Sequence, residues 1–258
     1  MGKTGTREWA EISKNIVSGC NHNCKYCYAR NNALRFGGIK NKDEWTDMIL
    51  MQKKLHEPTH FLKGKRIMFP TSHDIFPEHI EKTIKYLEGW LKWGNEILIV
   101  SKPHLECITK ICDRLDKYKK QIIFRFTIGS NDDKVLKFWE TEAPMFQERF
   151  DSLKYAHGKG FTTSVSCEPF LDENIVELVE ILLPFITDTI WIGKMNRVGE
   201  RVDTKGWTDK DFEFLKRVKN SQTDSKIKEI YDKFKNNPKV KWKDSIKQVM
   251  GLPEEKIG

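Results

Sequence analysis

Three cysteines, Cys20, Cys24 and Cys27, stand at Cys-x3-Cys-x2-Cys spacing within Ser18-Gly19-Cys20-Asn21-His22-Asn23-Cys24-Lys25-Tyr26-Cys27-Tyr28. No fourth cysteine follows at close range. Three thiolates can hold three irons of a cubane 4Fe–4S cluster and leave the fourth iron open to a ligand that is not protein. A reactive metal centre needs such an open position, because a fully ligated one can only store or pass electrons. Two other chemistries suit the same residues less well. A zinc site usually takes four ligands, and His22 as the fourth would have to close a tetrahedron inside one tight loop. A disulfide with one spare thiol needs an oxidising compartment, to which nothing in the chain points.

The remaining chain must position that loop. Its 258 residues, 38% of them hydrophobic, can bury one substantial core, and α/β barrels of this size often form one domain. A mean hydropathy of -0.60 and a charged fraction of 32% argue for a soluble protein. No apolar run approaches a membrane span. Met1 to Trp9 is polar and lacks a signal-peptide core, so a cytoplasmic protein is expected. Cys107, Cys112 and Cys167 are scattered and expected to be reduced. The net charge of +8 is compatible with a nucleic acid or another polyanion as partner, without being a motif for one.

Short β-branched or aromatic runs recur at Asn15-Ile16-Val17, Arg66 to Phe69, Ile97 to Val100, Ile122 to Phe126, Thr163 to Ser166 and Thr189 to Ile192. They read as strands covered on both faces. Amphipathic stripes lie between them: Ile80, Ile84, Leu87 and Leu91; Leu105, Ile108, Cys112 and Leu115; Phe146, Phe150 and Leu153; Ile175, Val179 and Leu182, with Asp172 as a plausible cap. Residues 30–63 form a longer first crossover, expected to be helical around Asp43 to Leu55. Strand–helix alternation implies a parallel sheet with right-handed crossovers. The fold class expected is α/β, a partial (β/α)6 TIM-type barrel over residues 1–200. Residues 201–258, with 15 Lys and Arg against 10 Asp and Glu, are expected to add a basic helical C-terminal extension.

Reactive groups in such barrels lie at the carboxyl ends of strands. That rule selects Ser72, His73 and Asp74 after the second strand, Ser101 and Lys102 after the third, and Arg125 and Thr127 on the fourth. It also selects Cys167 and Glu168 after the fifth and Lys194, Asn196 and Arg197 after the sixth.

The three-cysteine motif, with an aromatic Tyr26 just before the third cysteine, resembles the radical S-adenosylmethionine (SAM) superfamily. Further short motifs resemble its spore photoproduct lyase-like branch. These are Thr71-Ser72-His73-Asp74 with Pro77-Glu78, Val100-Ser101-Lys102, Glu142-Ala143-Pro144 with Arg149-Phe150, Gly160, and Glu168-Pro169-Phe170. The resemblance spans residues 13–197, and the C-terminal region shows no match to that branch. It implies SAM across the mouth of a partial barrel, bound to a 4Fe–4S cluster on Cys20, Cys24 and Cys27. It also implies reductive cleavage to a 5'-deoxyadenosyl radical and an electron from a low-potential donor such as flavodoxin or ferredoxin. Under it, Asp74 is expected to hold the SAM ammonium and Lys102 the carboxylate. Glu142 or Glu168 would accept from the ribose hydroxyls, and Tyr26, Ser72, Ser101 and Arg125 would complete the pocket. Cys167 is a candidate hydrogen-atom donor from the end of its strand, with packing as the plainer alternative. The substrate stays open. Nucleic-acid lesion repair or base modification is one alternative, and a non-enzymatic iron–sulfur or zinc protein is another.

Overall fold

The computed structural model describes residues 9–253. Seven parallel strands form one open sheet: β1 (Ile12–Ser13), β4 (Arg66–Phe69), β5 (Glu96–Ser101), β6 (Ile122–Thr127), β7 (Thr162–Cys167), β8 (Ile190–Ile192) and β9 (Val240–Trp242). Two further short strands, β2 (Val17–Ser18) and β3 (Ile49–Leu50), pair antiparallel outside it. Helices α1 (Tyr28–Arg35), α2 (Gln52–Leu55), α3 (Ile80–Leu91), α4 (Leu105–Arg114), α5 (Asp133–Trp139), α6 (Phe146–Gly158) and α7 (Ile175–Leu182) lie in the crossovers. The last part adds α8 (Val198–Arg201), α9 (Asp209–Ser221), α10 (Asp224–Phe234) and α11 (Asp244–Met250). The sheet does not close, so the architecture is a partial barrel, with one strand more than the six expected.

Strand alternation divides the side chains between two surroundings. On β6, Ile122, Phe124 and Phe126 pack into the main core under the helices, while Arg125 and Thr127 line the lumen. On β7 the same rule sends Val165 and Cys167 to the core and Ser166 to the lumen. The helical stripes behave as their periodicity requires: Ile80, Ile84, Leu87 and Leu91 are all buried in that core.

Three local expectations change. The first strand of the sheet is Ile12–Ser13, because the Asn15 side chain turns the chain out of it. Asn15 donates to Thr71 Oγ1 at 2.7 Å and accepts from the backbone N–H groups of Thr71 at 2.7 Å and Ser72 at 3.0 Å. Val17 then pairs with Leu50 in the small sheet. The first crossover is not one helix over 43–55. It is a 3-10 turn at Asp43–Asp47, then β3, then the single turn of α2, with Trp45 buried beneath the cysteine loop. Asp172 does not cap α7 directly; it accepts from the Asn174 N–H at 2.8 Å and from the Ser130 hydroxyl.

The C-terminal region contributes more than helices. Val240–Trp242 runs parallel to β8, and Ile227, Ile230, Phe234, Val240 and Ile246 join the main core. No described helix is long and apolar enough to cross a membrane.

Candidate active site

The loop after β2 carries the three cysteines, and its shape is set locally. Gly19 has φ +100°, and a Cβ there would lie 2.5 Å from the Trp45 carbonyl oxygen. That contact is close because the Cys20 N–H donates to the Trp45 carbonyl at 2.7 Å. Arg30 grips the loop from α1, donating to the Asn23 side chain at 2.7 Å and to the Cys24 carbonyl at 3.0 Å. Cys27 starts α1, and the Arg30 N–H points at its sulfur at 3.4 Å. All three cysteines line one cavity of about 610 Å³ that runs into the lumen of the barrel.

Asp74, in the loop after β4, ties the cysteine loop to the sheet. Its carboxylate accepts from the Lys102 N–H at 2.7 Å, the Ser101 hydroxyl at 3.0 Å and His22 Nδ1 at 2.7 Å. Cys20 Sγ lies 3.8 Å away, and Lys102 Nζ 3.7 Å. Burial alone would raise the carboxyl, but Lys102 and His22 hold it well below the usual carboxylate range. Burial likewise disfavours a charged Lys102, yet Cys24, Asp74, Tyr26 and Glu140 around it drive its ammonium well above the usual range. His22 is fully buried, with its Nε2 3.0 Å from His104 Nε2. His73 is similarly enclosed. Its Nδ1–H donates to the Asp74 carbonyl at 2.7 Å, leaving Nε2 to accept from the Ile16 and Val17 N–H groups, each at 3.3 Å. Burial lowers His73 to about 4, against the pull of Asp74.

The donor chemistry fits an iron–sulfur cluster. Burial raises the Cys20 thiol well above its ordinary range and the Cys24 thiol to about 12. Thiolates there need a metal cation to replace their protons. A competing donor set, Cys20, His22 and Asp74, brings its ligand atoms within 4.8 Å of one another. In that set both His22 nitrogens are already spent on Asp74 and His104.

Of the residues expected from sequence, Tyr26, Ser72, Asp74, Lys102, Arg125 and Glu168 line the cavity with the cysteines. Three do not. Ser101 stands behind Asp74 as its hydrogen-bond donor. Glu142 points to solvent, its side chain 54% exposed and 3.8 Å from Lys137; only its N–H serves the loop, donating to the His22 carbonyl at 3.1 Å. Cys167 is 0% exposed and faces the core, because alternation turns Ser164 and Ser166 of β7, and the following Glu168, to the lumen side. It therefore lies outside the cavity where a hydrogen-atom donor would be required.

Other residues enter the site without a sequence signal of their own. Glu140, fully buried, accepts from the Tyr26 hydroxyl and pairs with Arg149 at 2.5 Å. Tyr28 lines the cavity and donates to the Thr71 carbonyl. Lys243, after β9, reaches Glu168 at 3.3 Å and lies 5.0 Å from the Trp191 ring centroid, with the Arg125 guanidinium 5.5 Å from the same ring. Gly193 makes this approach feasible, since a Cβ there would lie 2.9 Å from Glu168 Cγ and 3.0 Å from Lys243 Cβ.

The family model of the Radical SAM superfamily matches residues 14–184, more than half of the chain. The chain belongs to the radical SAM superfamily. It is 28% identical over 221 residues to the uncharacterized protein ORF301 of Acidianus two-tailed virus, covering 80% of this chain and 71% of that protein. It is 27% identical over 168 residues to the uncharacterized protein MJ0683 of Methanocaldococcus jannaschii, covering 62% of this chain and 61% of that one. Among solved structures, spore photoproduct lyase complexed with dinucleoside spore photoproduct matches with a TM-score of 0.56 at 15% identity, over 94% of this chain and 78% of that chain. A mutant of the same lyase with bound AdoMet and dinucleoside spore photoproduct matches with a TM-score of 0.54 at 14% identity, over the same shares of the two chains. At this identity the likeness is one of fold. The superfamily match ends before β8, Lys194 and Lys243, which all belong to the far wall of the lumen.

Proposed function

We propose that this chain is a radical SAM enzyme whose Cys20, Cys24 and Cys27 hold a 4Fe–4S cluster and whose lumen takes the substrate. The observation that supports this most is the meeting of the three thiols with Tyr26, Asp74 and Lys102 on one cavity at the carboxyl ends of the strands. When bound, the cluster supplies an open iron at which SAM is reductively cleaved to a 5'-deoxyadenosyl radical. The protein's task is to bind, orient and keep water away. Lys102 is the cation placed to pair with the SAM carboxylate. The Asp74 oxygens are taken up by Ser101, Lys102 and His22, so its share is to set the position and charge of Lys102. Glu168, held by Lys243, is the acceptor available to ribose hydroxyls. A low-potential donor such as flavodoxin or ferredoxin supplies the electron.

A second reading concerns the substrate. Arg125 and Lys243, which line the lumen, both lie against the Trp191 indole, and Lys194 and Arg201 line the cavity as well. Cations beside an aromatic ring suit a nucleotide or nucleic acid. This supports lesion repair or base modification as the reading for this chain; the lyase structures it resembles in fold hold dinucleoside spore photoproduct. The test is anaerobic reconstitution and reduction, with assay of 5'-deoxyadenosine in the presence and absence of single- and double-stranded nucleic acid. SAM cleavage is expected in every case, and product formation only with the true substrate. An iron-loaded sample that releases no 5'-deoxyadenosine would contradict the enzyme reading.

A further inference from the structure

We propose that Glu140, locked by Arg149, is the positioning residue of the cysteine loop, setting Tyr26 through its carboxylate and Cys24 through its backbone. The proposal rests on the reading of Cys20, Cys24 and Cys27 as the ligand set.

Residues 139–142 run along the loop as an edge. Cys24 and Glu140 form an antiparallel bridge, and the Lys25 N–H donates to the Trp139 carbonyl at 2.8 Å. The Glu142 N–H donates to the His22 carbonyl at 3.1 Å. These contacts join two segments more than a hundred residues apart, so the loop's shape depends on where residue 140 is held. Arg149 holds it. Its Nε donates to the Pro144 carbonyl at 2.6 Å, one terminal nitrogen donates to the Thr127 carbonyl at 3.2 Å, and the other pairs with Glu140 at 2.5 Å. The contact with Glu140 is an ion pair without hydrogen-bond geometry, and the two hydrogen bonds to Pro144 and Thr127 hold the guanidinium, with the carboxylate paired to it, against the end of β6 and the turn before α6. The other carboxylate oxygen accepts from the Tyr26 hydroxyl, and the Tyr26 ring lines the cavity beside Cys24 and Cys27.

Glu140 and Arg149 are both 0% exposed. A buried ion pair is a poor way to gain stability, because apolar residues of similar volume serve as well or better. Directional bonds supply what an apolar plug does not, a defined orientation for the groups they reach. Here those groups are the aromatic ring and one thiol of the cofactor loop.

The test begins with the metal-free, reduced full-length chain. Each cysteine's alkylation rate by iodoacetamide is read by mass spectrometry, with fully buried Cys167 as the standard for global opening. Two variants are compared with wild type. Glu140→Leu with Arg149→Met removes both charges at similar volume, and Tyr26→Phe removes a single hydroxyl. Cys24 alkylation is expected to rise about tenfold in the first and less in the second, with Cys167 unchanged in both. An unchanged Cys24 rate, or Cys24 and Cys167 rising together, would overturn the proposal in favour of ordinary core packing. If the first variant does not fold, Tyr26→Phe decides by the same criteria. In reconstituted protein, Glu140→Leu and Tyr26→Phe should each weaken SAM binding, and the double variant should be no worse than the worse single one. Additive losses would separate Glu140 from Tyr26 and overturn the link. If wild type binds no SAM, the functional reading falls, while the alkylation result still decides this proposal.

Discussion

The two walls of the cavity are built differently. On the cysteine side, Asp74 alone accepts from Ser101, Lys102 and His22, and Glu140 with Arg149 ties Tyr26 to the end of β6. Asp74, His22, Ser101, Glu140 and Arg149 are buried, Tyr26 and Lys102 partly so, and most have more than one partner. On the far side, Arg125, Glu168, Lys194 and Lys243 are all partly buried; Arg125 donates to Ser164 Oγ at 3.0 Å, and the ion pairs reach across to Asp188 at 3.7 Å from Arg125 and to Asp224 at 3.8 Å from Lys194. The first wall is preorganised, as a cofactor site must be. The second is the wall proposed for the substrate, apart from Glu168, which is proposed to serve the SAM ribose. The superfamily match covers the first wall and, on the second, Arg125 and Glu168; it stops at residue 184, short of Lys194 and Lys243.

Exchanging lysines across the cavity gives the largest expected contrast. Lys102→Ala should weaken SAM binding by about tenfold to a hundredfold without loss of iron, since a charge-assisted partner is removed but no thiolate is. Lys243→Ala should change SAM affinity by less than about threefold. Titration of SAM into both reconstituted variants checks this, and equal losses would erase the distinction between the walls.

A pH series sharpens the contrast on the cysteine side. His73 is held at about 4 when folded, below its value of 6.5 in the open chain. The unfolded chain therefore takes up the proton first, so this contribution is complete above about pH 6.5 and fades as pH falls toward 4. The shift corresponds to about 3 kcal/mol. Urea unfolding of wild type and His73→Gln should show a stability gap at pH 7.5 that narrows steadily toward pH 4.5. A gap independent of pH would mean that the hydrogen bonds to Ile16 and Val17 do not require the neutral ring.

The smallest effect is expected behind the cavity. Cys167→Ala should cost about 1 kcal/mol of stability, as the loss of a small buried group does, and leave SAM cleavage unchanged. Lost product formation with intact SAM cleavage would place the thiol in the chemistry after all.

The cysteine side is the more legible wall because its three cysteines are close in sequence. Asp74 and Lys102 were equally accessible, since strand ends point to the mouth whatever the details of packing. Other choices depended on facing that the residue types do not carry. Trp139-Glu140-Thr141-Glu142 offers two glutamates, and only the bridge to Cys24 turns the first one inward. Along β7, small residues stand on both faces, so Ser166 and Cys167 could not be assigned without the register. The seventh strand was hidden for a different reason. Val240–Trp242 is three residues long and alternates with Lys239, Lys241 and Lys243, which read as solvated charge. One of those lysines lines the lumen, so the least legible element supplies part of the wall where the substrate is proposed to lie.

Metal analysis of anaerobically purified and reconstituted protein, combined with electron paramagnetic resonance before and after SAM addition, tests the central claim most directly. The account predicts about four irons and matching sulfide per chain, a reduced-cluster signal that SAM shifts, and loss of both when Cys24 is replaced by alanine. Stoichiometric zinc without iron, held by Cys20, His22 and Asp74, would contradict it.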